Sequence, residues 1–391
     1  MTTTRELLSK NFRVLPSDIP NDGILFVDHQ KHGRSGHGGN CLTECINGDI
    51  VSFYSNVSGE TYHESRPWVA DTDVASLSTT AFDEGHGTAG WSEYRRSTDG
   101  GKTWGESVVL NFSKRAWEGD EIYSALVFAV ATAPDGTLIA FVSQFASADW
   151  VKQLPPVCLL SHDQGQTWSE PRPLDPKATV EDVSLTSDAV FTSGDQVFAF
   201  FMGGAPTYCD EPHSLYVSTD NGKSFVRRSD LPFDHDYYYV TAGLLDNGDI
   251  IVYSYPYRPD GDVDEYNMPY VTSADEGRTW SEVKTSHFAQ AIRNPQISRK
   301  IGDLYFLHGR SGEHSRDPSN LVLYASSDGI RWDEGRILHR KSGQADAYSA
   351  NEVVGKYDSA APNRLLIQSS IAYDGYKVNE CHWWVQEVDG A

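Results

Sequence analysis

Long apolar runs are missing from this sequence. No segment approaches the ~20 consecutive apolar residues that a membrane-spanning helix needs, and the opening stretch from Met1 to Lys10 has no apolar core of signal-peptide length. Cysteine is scarce. Cys41, Cys45, Cys158, Cys209 and Cys381 are odd in number and scattered, which excludes a disulfide framework and points to reduced thiols. A cytoplasmic setting is expected, or a secreted one if a signal has been trimmed. Cys41 and Cys45 share one face of an expected strand and read as small packed residues. No His or Cys pair nearby completes a metal set, and nothing in the sequence calls for a cofactor. Positive charge is also short: 32 Lys and Arg stand against 55 Asp and Glu, a formal net charge of −23. That balance argues against nucleic acid or an anionic membrane as a partner. It still allows an anionic small substrate, because a local cationic pocket overrides the mean field.

What the chain does have is repetition. The phrase Ser97-Thr-Asp99-Gly-Gly101-Lys-Thr103-Trp104 returns as Ser161-His-Asp163-Gln-Gly165-Gln-Thr167-Trp168, as Ser218-Thr-Asp220-Asn-Gly222-Lys-Ser224-Phe225, and as Ser273-Ala-Asp275-Glu-Gly277-Arg-Thr279-Trp280. A shortened copy, Ser326-Ser-Asp328-Gly329-Ile-Arg-Trp332, closes the series, and successive Asp residues are 64, 57, 55 and 53 apart. The period is regular and too long for a helical solenoid. Each position has a turn function: Asp accepts from amides just ahead of it, Gly takes positive φ without steric cost, and the closing aromatic packs between sheets. The phrase resembles the Asp box of the sialidase-like β-propellers, which links the third and fourth strands of a blade. In that family the box is structural, so none of these residues is assigned to catalysis.

Strand signals and tight turns alternate between the boxes. Blade one is expected from Asn40–Glu44 and Ile50–Tyr54, blade two from Ala125–Ala131 and Thr137–Ser143, and blade three from Ser184–Phe191 and Gln196–Phe201. Blade four follows from Val240–Leu245 and Asp249–Tyr255, blade five from Gln296–Lys300 and Leu304–His308, and blade six from Ala350–Val354, Arg364–Ser370 and His382–Val388. Blade six then lacks a fourth strand, which the run Gly23–Asp28 supplies from the other terminus. The reading is all-β: a single-domain, six-bladed β-propeller over residues 1–391, with seven blades if the N-terminal segment holds another strand. A chain of 391 residues with 39% hydrophobic and 12% aromatic content suits one such ring.

The connections from second to third strand are the long ones, and long loops crowd one mouth of the channel. The residues just before each first strand reach the same mouth. They include Arg34, His37 and Asn40 for blade one, Tyr123 for blade two, Asp182 for blade three, His235 for blade four, Arg293 and Asn294 for blade five, and Tyr348 for blade six. His308 and Arg310 end the second strand of blade five, and the long loops add His63 and Arg258. Gly36-His37-Gly38-Gly39 lets backbone approach a ligand closely, and an Arg in the narrow interior demands an anion.

Tyr348 sits where the nucleophilic Tyr of sialidases falls, Arg293 resembles the last arginine of their triad, and Phe12-Arg13-Val14-Leu15-Pro16 is similar to a stretched form of their Phe-Arg-Ile-Pro motif. Blade four, however, opens without an Arg. Gly36-His37-Gly38-Gly39-Asn40 and the stretch from Asn363 through His382-Trp383-Trp384 resemble instead the branch of these propellers that contains uronate-polysaccharide lyases and rhamnosidase-like enzymes. That resemblance implies an acidic oligo- or polysaccharide partner and His/Tyr acid–base chemistry, with His37 and either Tyr123 or Tyr348 as the pair. Arg293 and Asn294 would neutralise the uronate, and Arg34, Asn40, His63, Arg258, His308, Arg310, His235 and Asp182 would complete substrate binding. Two alternatives stand beside it: a sialidase-type hydrolase with Tyr348 as nucleophile, for which Glu181, Asp182 and Glu352 offer carboxylates, and a propeller that binds a glycan without cleaving it.

Overall fold

The computed structural model describes residues 12–15, 23–32, 34–36, 39–57, 90–118, 124–145, 153–177, 185–203, 211–233, 237–256, 266–312, 320–340, 347–358, 363–374 and 377–387. His37, His63, Tyr123, Asp182, His235 and Arg258 lie outside them, as do most of the long second-to-third-strand loops.

Six antiparallel sheets form six blades. β1 (Phe12–Leu15) and β2 (Ile24–Val27) come first in the chain and belong to the last blade. Blade one holds β3 (Cys41–Glu44), β4 (Ile50–Val57), β5 (Gly90–Ser97) and β6 (Val108–Val109). Blade two holds β7 (Ser124–Thr132), β8 (Leu138–Phe145), β9 (Gln153–Ser161) and β10 (Arg172–Pro173). Blade three runs β11 (Leu185–Ser193), β12 (Gln196–Gly203), β13 (Glu211–Ser218) and β14 (Val226–Asp230). Blade four is β15 (Tyr237–Leu244), β16 (Ile250–Pro256), β17 (Asn267–Ser273) and β18 (Lys284–His287). Blade five is β19 (Ala291–Ile297), β20 (Tyr305–Gly312), β21 (Asn320–Ser326) and β22 (Arg336–Arg340). Blade six has β23 (Ser349–Val354), β24 (Arg364–Asp374) and β25 (Lys377–Glu387). Each first strand neighbours the next around the axis, and β23 returns to β3. One feature was not expected from the sequence: the helix α1 (Asn111–Glu118) caps the seam between blades one and two. There Ser113 accepts from Ser92 N at 2.8 Å and donates to Ala125 O.

Blade six is closed by two N-terminal strands rather than one. β2 pairs with Glu380–His382 and β1 with Trp384–Glu387, side by side on the outer edge of β25. The ring thereby loses the free edge that a three-stranded last blade would expose. It also corrects the motif reading of Phe12–Leu15. Arg13 lies opposite Gln386 on the outermost strand, at the Asp-box end of the blade, and not at the mouth.

The Asp boxes lock neighbouring blades together. In the first copy Ser97 Oγ accepts from Gly101 N at 2.8 Å, and Asp99 accepts from Thr103 N at 2.9 Å and Thr103 Oγ1 at 2.6 Å. The same bonds recur around Asp163, Asp220 and Asp275. Each box glycine then presses on the preceding blade: a Cβ at Gly165 would meet Val51 at 2.8 Å, at Gly222 Ile139 at 2.3 Å, and at Gly277 Leu215 at 2.2 Å. The closing aromatics reach the same way. Trp168 packs on Phe53, Phe225 on Phe141, Trp280 on Phe200 and Trp332 on Tyr253. Nearer the axis, side-chain bonds join successive first strands: Thr43 to Thr132, Thr192 to Thr132 O, Ile297 N to Thr241, and Glu44 N to Glu352.

Candidate active site

A cavity of about 480 Å³ opens at the Asp-box end of the channel, lined by Thr43, Ala131, Thr192, Leu244, Ile297 and Tyr357 among others. Of the residues weighed for the site, Glu352 lines it. Glu352, weighed as a carboxylate for hydrolysis, is found at this end: its Oε2 accepts from Lys356 Nζ at 2.9 Å and from Glu44 N at 3.2 Å. That places it away from Tyr348. The walls are otherwise mainly strand ends bearing Ala, Val and Thr, and chemistry favours the opposite mouth.

At the opposite mouth the described residues converge from blades four, five, six and one. The expectation that Arg293 and Asn294 precede the first strand of blade five needs correction, because both lie inside β19. A bulge between Arg293 and Gln296 sets Arg293 directly across from Arg310 on β20. The bulge requires Gly309, since a Cβ there would stand 2.9 Å from both Arg293 O and Asn294 O. Arg310 is 6% exposed and its guanidinium lies over the Tyr348 ring, 4.4 Å from the centroid. Burial alone would lower the Arg293 pKa, but the hydroxyls of Tyr255, Tyr348 and Tyr239 around it outweigh that and raise it, so its charge is secure. Asn294 Oδ1 is buried with no hydrogen-bond donor among the described residues.

The backbone is strained at two points beside these groups. Among the described residues five non-glycine residues have positive φ: three are inside Asp boxes, and the other two are Asn294 (52°), next to Arg293, and Ala347 (65°), next to Tyr348. Left-handed geometry at an L-residue persists only where surrounding bonds impose it. Around Tyr348 they do. Its N–H donates to Ser370 Oγ at 3.1 Å, and its carbonyl accepts from Ser370 N at 2.9 Å and from Asn40 Nδ2 at 3.3 Å.

Two expected contacts are engaged within the protein. His308 is fully buried, with Nδ1 at 2.9 Å from Ser349 Oγ and Nε2 at 3.0 Å from Asn351 Nδ2. An amide nitrogen only donates, so Nε2 accepts and the proton is assigned to Nδ1. Burial lowers its pKa to about 3. A neutral ring held at both nitrogens supports Ser349 and Asn351. Arg34 stands at the rim with its guanidinium 5.2 Å from the Trp91 ring centroid. The structure thus gathers Arg293, Arg310, Tyr348 and Asn40, sets His308 beneath them and leaves Arg34 at the edge.

The BNR/Asp-box repeat model matches residues 159–170, the second box. No curated protein matches the chain in sequence. Among solved structures, a protein of unknown function from Dyadobacter fermentans superposes with a TM-score of 0.69 at 13% identity, covering 96% of this chain and 99% of that one. The Hadza microbial sialidase Hz136 gives 0.64 at 14% identity over 92% of this chain and 68% of its own. The Trypanosoma rangeli sialidase in complex with sialic acid gives 0.61 at 14% identity over 94% and 57%. The chain has the sialidase-like, Asp-box propeller fold. In this sialidase-like propeller, two more tyrosines stand beside Arg293: Tyr239, from the tyrosine run that opens blade four in the sequence, and Tyr255, which sequence reasoning missed. Tyr255 ends the second strand of blade four as Arg310 nears the end of that of blade five, so the rule that found Arg310 would have found it.

Proposed function

We propose that this chain cleaves a glycosidic bond beside an acidic sugar, by β-elimination at a uronate. The observation that carries this reading is the placement of Arg293 across from Arg310, with both set against Tyr348. Two guanidinium groups held on opposed strands repel each other, and a planar carboxylate is the anion their forks grip best. In the elimination, the bond from hydrogen to the carbon α to the carboxylate breaks, and its electrons form a double bond to the neighbouring carbon. The bond from that carbon to the bridging oxygen breaks in turn, and the oxygen takes a proton. Negative charge develops on the carboxylate that the arginines hold, where fixed donors stabilise it most. Tyr348 is the group to pass the proton, with His37 and Tyr123 proposed as base and partner from blades one and two. The sialidases among the solved neighbours support a sugar as partner at a coarse level.

A hydrolase with Tyr348 as nucleophile is the second reading, favoured by the same Arg–Tyr arrangement. The engagement of Glu352 with Lys356 weighs against it. The deciding assay follows the ultraviolet absorbance of an unsaturated uronate during incubation with uronate-containing polysaccharides. Absorbance is expected to rise with wild type and to be lost in Tyr348→Phe and Arg293→Met. Release of sialic acid from a synthetic sialoside without that absorbance would establish hydrolysis, and tight glycan binding with neither product would mark a binding module.

A further inference from the structure

Glu380 is a charged residue type in the middle of the closing blade, and it is completely buried. It lies on β25, opposite Ser370 of β24 and Val27 of β2. A Cβ on Gly36 would stand 2.3 Å from its Oε1 and 2.6 Å from His29 Nε2, so both groups fill the space that the glycine leaves. The side chains of Gln368 and Asn40 are within hydrogen-bonding reach, and among the described residues no Lys or Arg acts on the carboxyl. The titratable groups around it are aromatic: His29 from the 3-10 turn, Tyr54 of β4 with its ring 5.7 Å from His29, and His382 two positions along β25, stacked on Phe26 at 4.0 Å. Arg95 lies beyond, on His382. Burial, opposed by the Gln368 and Asn40 contacts, moves the Glu380 pKa well up.

Among the described residues, neither Glu380 oxygen meets a donor in good geometry, and Asn40 Oδ1 lacks one as well. Unsatisfied buried acceptors are costly, and here three sit on two side chains within reach of each other. One proton on Glu380 turns a carboxyl oxygen into a donor and gives Asn40 Oδ1 the partner it lacks. We propose that Glu380 is a positioning residue: as a neutral carboxylic acid it donates to Asn40 Oδ1 and so fixes the amide whose Nδ2 holds the Tyr348 carbonyl. Tyr348 follows a left-handed Ala347, and the Asn40 bond is one of the three that keep its backbone in that strained register. Gly36, in the Gly-rich stretch before Asn40, makes room for the acid. The inference rests on the reading that Tyr348 reacts, and it deepens that reading by adding what aims the tyrosine.

Five measurements test it. The infrared difference between wild type and E380Q at neutral pH should contain a protonated carboxyl band. Relative to E380Q, the folding equilibrium of wild type should fall by about tenfold for each pH unit above ~4.5, because the unfolded chain releases a proton that the fold retains. Tyrosine ring resonances assigned to Tyr348 through Tyr348→Phe should shift in E380L, which removes the donor, and hold in E380Q, whose amide still donates. On a productive acidic glycan, E380L should lose about tenfold in kcat with KM little changed, and E380Q should regain most of it. Absence of the band, or unmoved Tyr348 resonances in folded E380L, would overturn the proposal. So would a Tm that drops with chelator in wild type but not in E380Q, since a cation and not a proton would then satisfy the carboxylate. If no acidic glycan is turned over, the functional reading fails alone, because the spectroscopic and stability arms need no substrate.

Discussion

Gln164, Asn221 and Glu276 occupy the residue between Asp and Gly in three of the boxes, with φ of 57°, 60° and 59°. The first box has Gly100 there, at 70°. Left-handed φ costs an ordinary L-residue about 1–2 kcal/mol, less for Asn, and glycine returns part of that gain through the freedom it has in the unfolded chain. Gln164→Gly and Glu276→Gly are therefore expected to raise stability by about 0.5–1 kcal/mol each, read from urea midpoints. The following glycine behaves oppositely: Gly277→Ala drives a methyl into Leu215 at a positive-φ site and should cost about 2 kcal/mol or more. At the mouth, residue chemistry separates charge from shape. Arg310→Lys keeps the charge but loses the planar fork and most of the stacking on Tyr348. A fall of about 10–100-fold in kcat/KM is expected on the acidic glycan, whereas a role limited to neutral packing would leave Arg310→Lys near wild type.

At the scale of single elements, the closing strands carry a disproportionate share of the ring. Phe26 of β2 is 5% exposed; it stacks on His382 and meets Tyr54 and Trp104 edge-on. Phe26→Ala is expected to cost about 3–5 kcal/mol and to loosen blade six first. Native-state hydrogen exchange would register this as early opening of β25, and uniform exchange across all blades would contradict it. The element scale is also where sequence reading divides into what could and could not be read. Strand pairs around Asn-Gly and Asp-Gly turns were legible because turn chemistry is local. Blade five was misplaced because the bulge that puts Arg293 inside β19 depends on Gly309, on another strand. Helix α1 escaped notice because it is only eight residues long and is held by tertiary bonds through Ser113. The pairing of both N-terminal strands on β25 joins residues more than 350 positions apart, such as Phe12 and Glu387, and no local pattern encodes that. The candidate residues Arg293, Arg310 and Tyr348 could be named from topology alone. Their cross-strand contact, and the buried Glu380 behind them, came only with three-dimensional packing.

Over the whole molecule, opposing titrations set the response to pH. The formal charge of −23 is relieved as carboxylates protonate, which by itself reduces self-repulsion in acid. Buried groups work against that. His308 and His382 are held neutral in the fold, with pKa lowered to about 3 by burial, and for His382 also by the nearby Arg95. An unfolded His binds a proton near its ordinary ~6.5, so the unfolded chain takes up protons before the fold does. The stability these rings contribute is fully present above about pH 6.5 and drains as pH falls toward 3, at about 1.4 kcal/mol per pH unit for each ring. The box carboxylates add a lower window. Side-chain donation from Thr103 brings Asp99 to about 2, and the Thr279 amide, then its hydroxyl, does the same for Asp275. Their contribution holds above ~4 and is lost as pH falls toward 2. Acid unfolding should therefore begin in the histidine window, while the boxes are still charged. His382→Phe keeps an aromatic ring against Phe26 and removes one titrating group. Urea midpoints measured from pH 7 to 4 at fixed ionic strength should then fall less steeply than in wild type, by about 1.4 kcal/mol per pH unit once converted to free energy. Parallel slopes for the two proteins would mean that the His382 imidazole takes up its proton in the folded ring as easily as in the unfolded chain, and the two-window account of acid unfolding would fail with it.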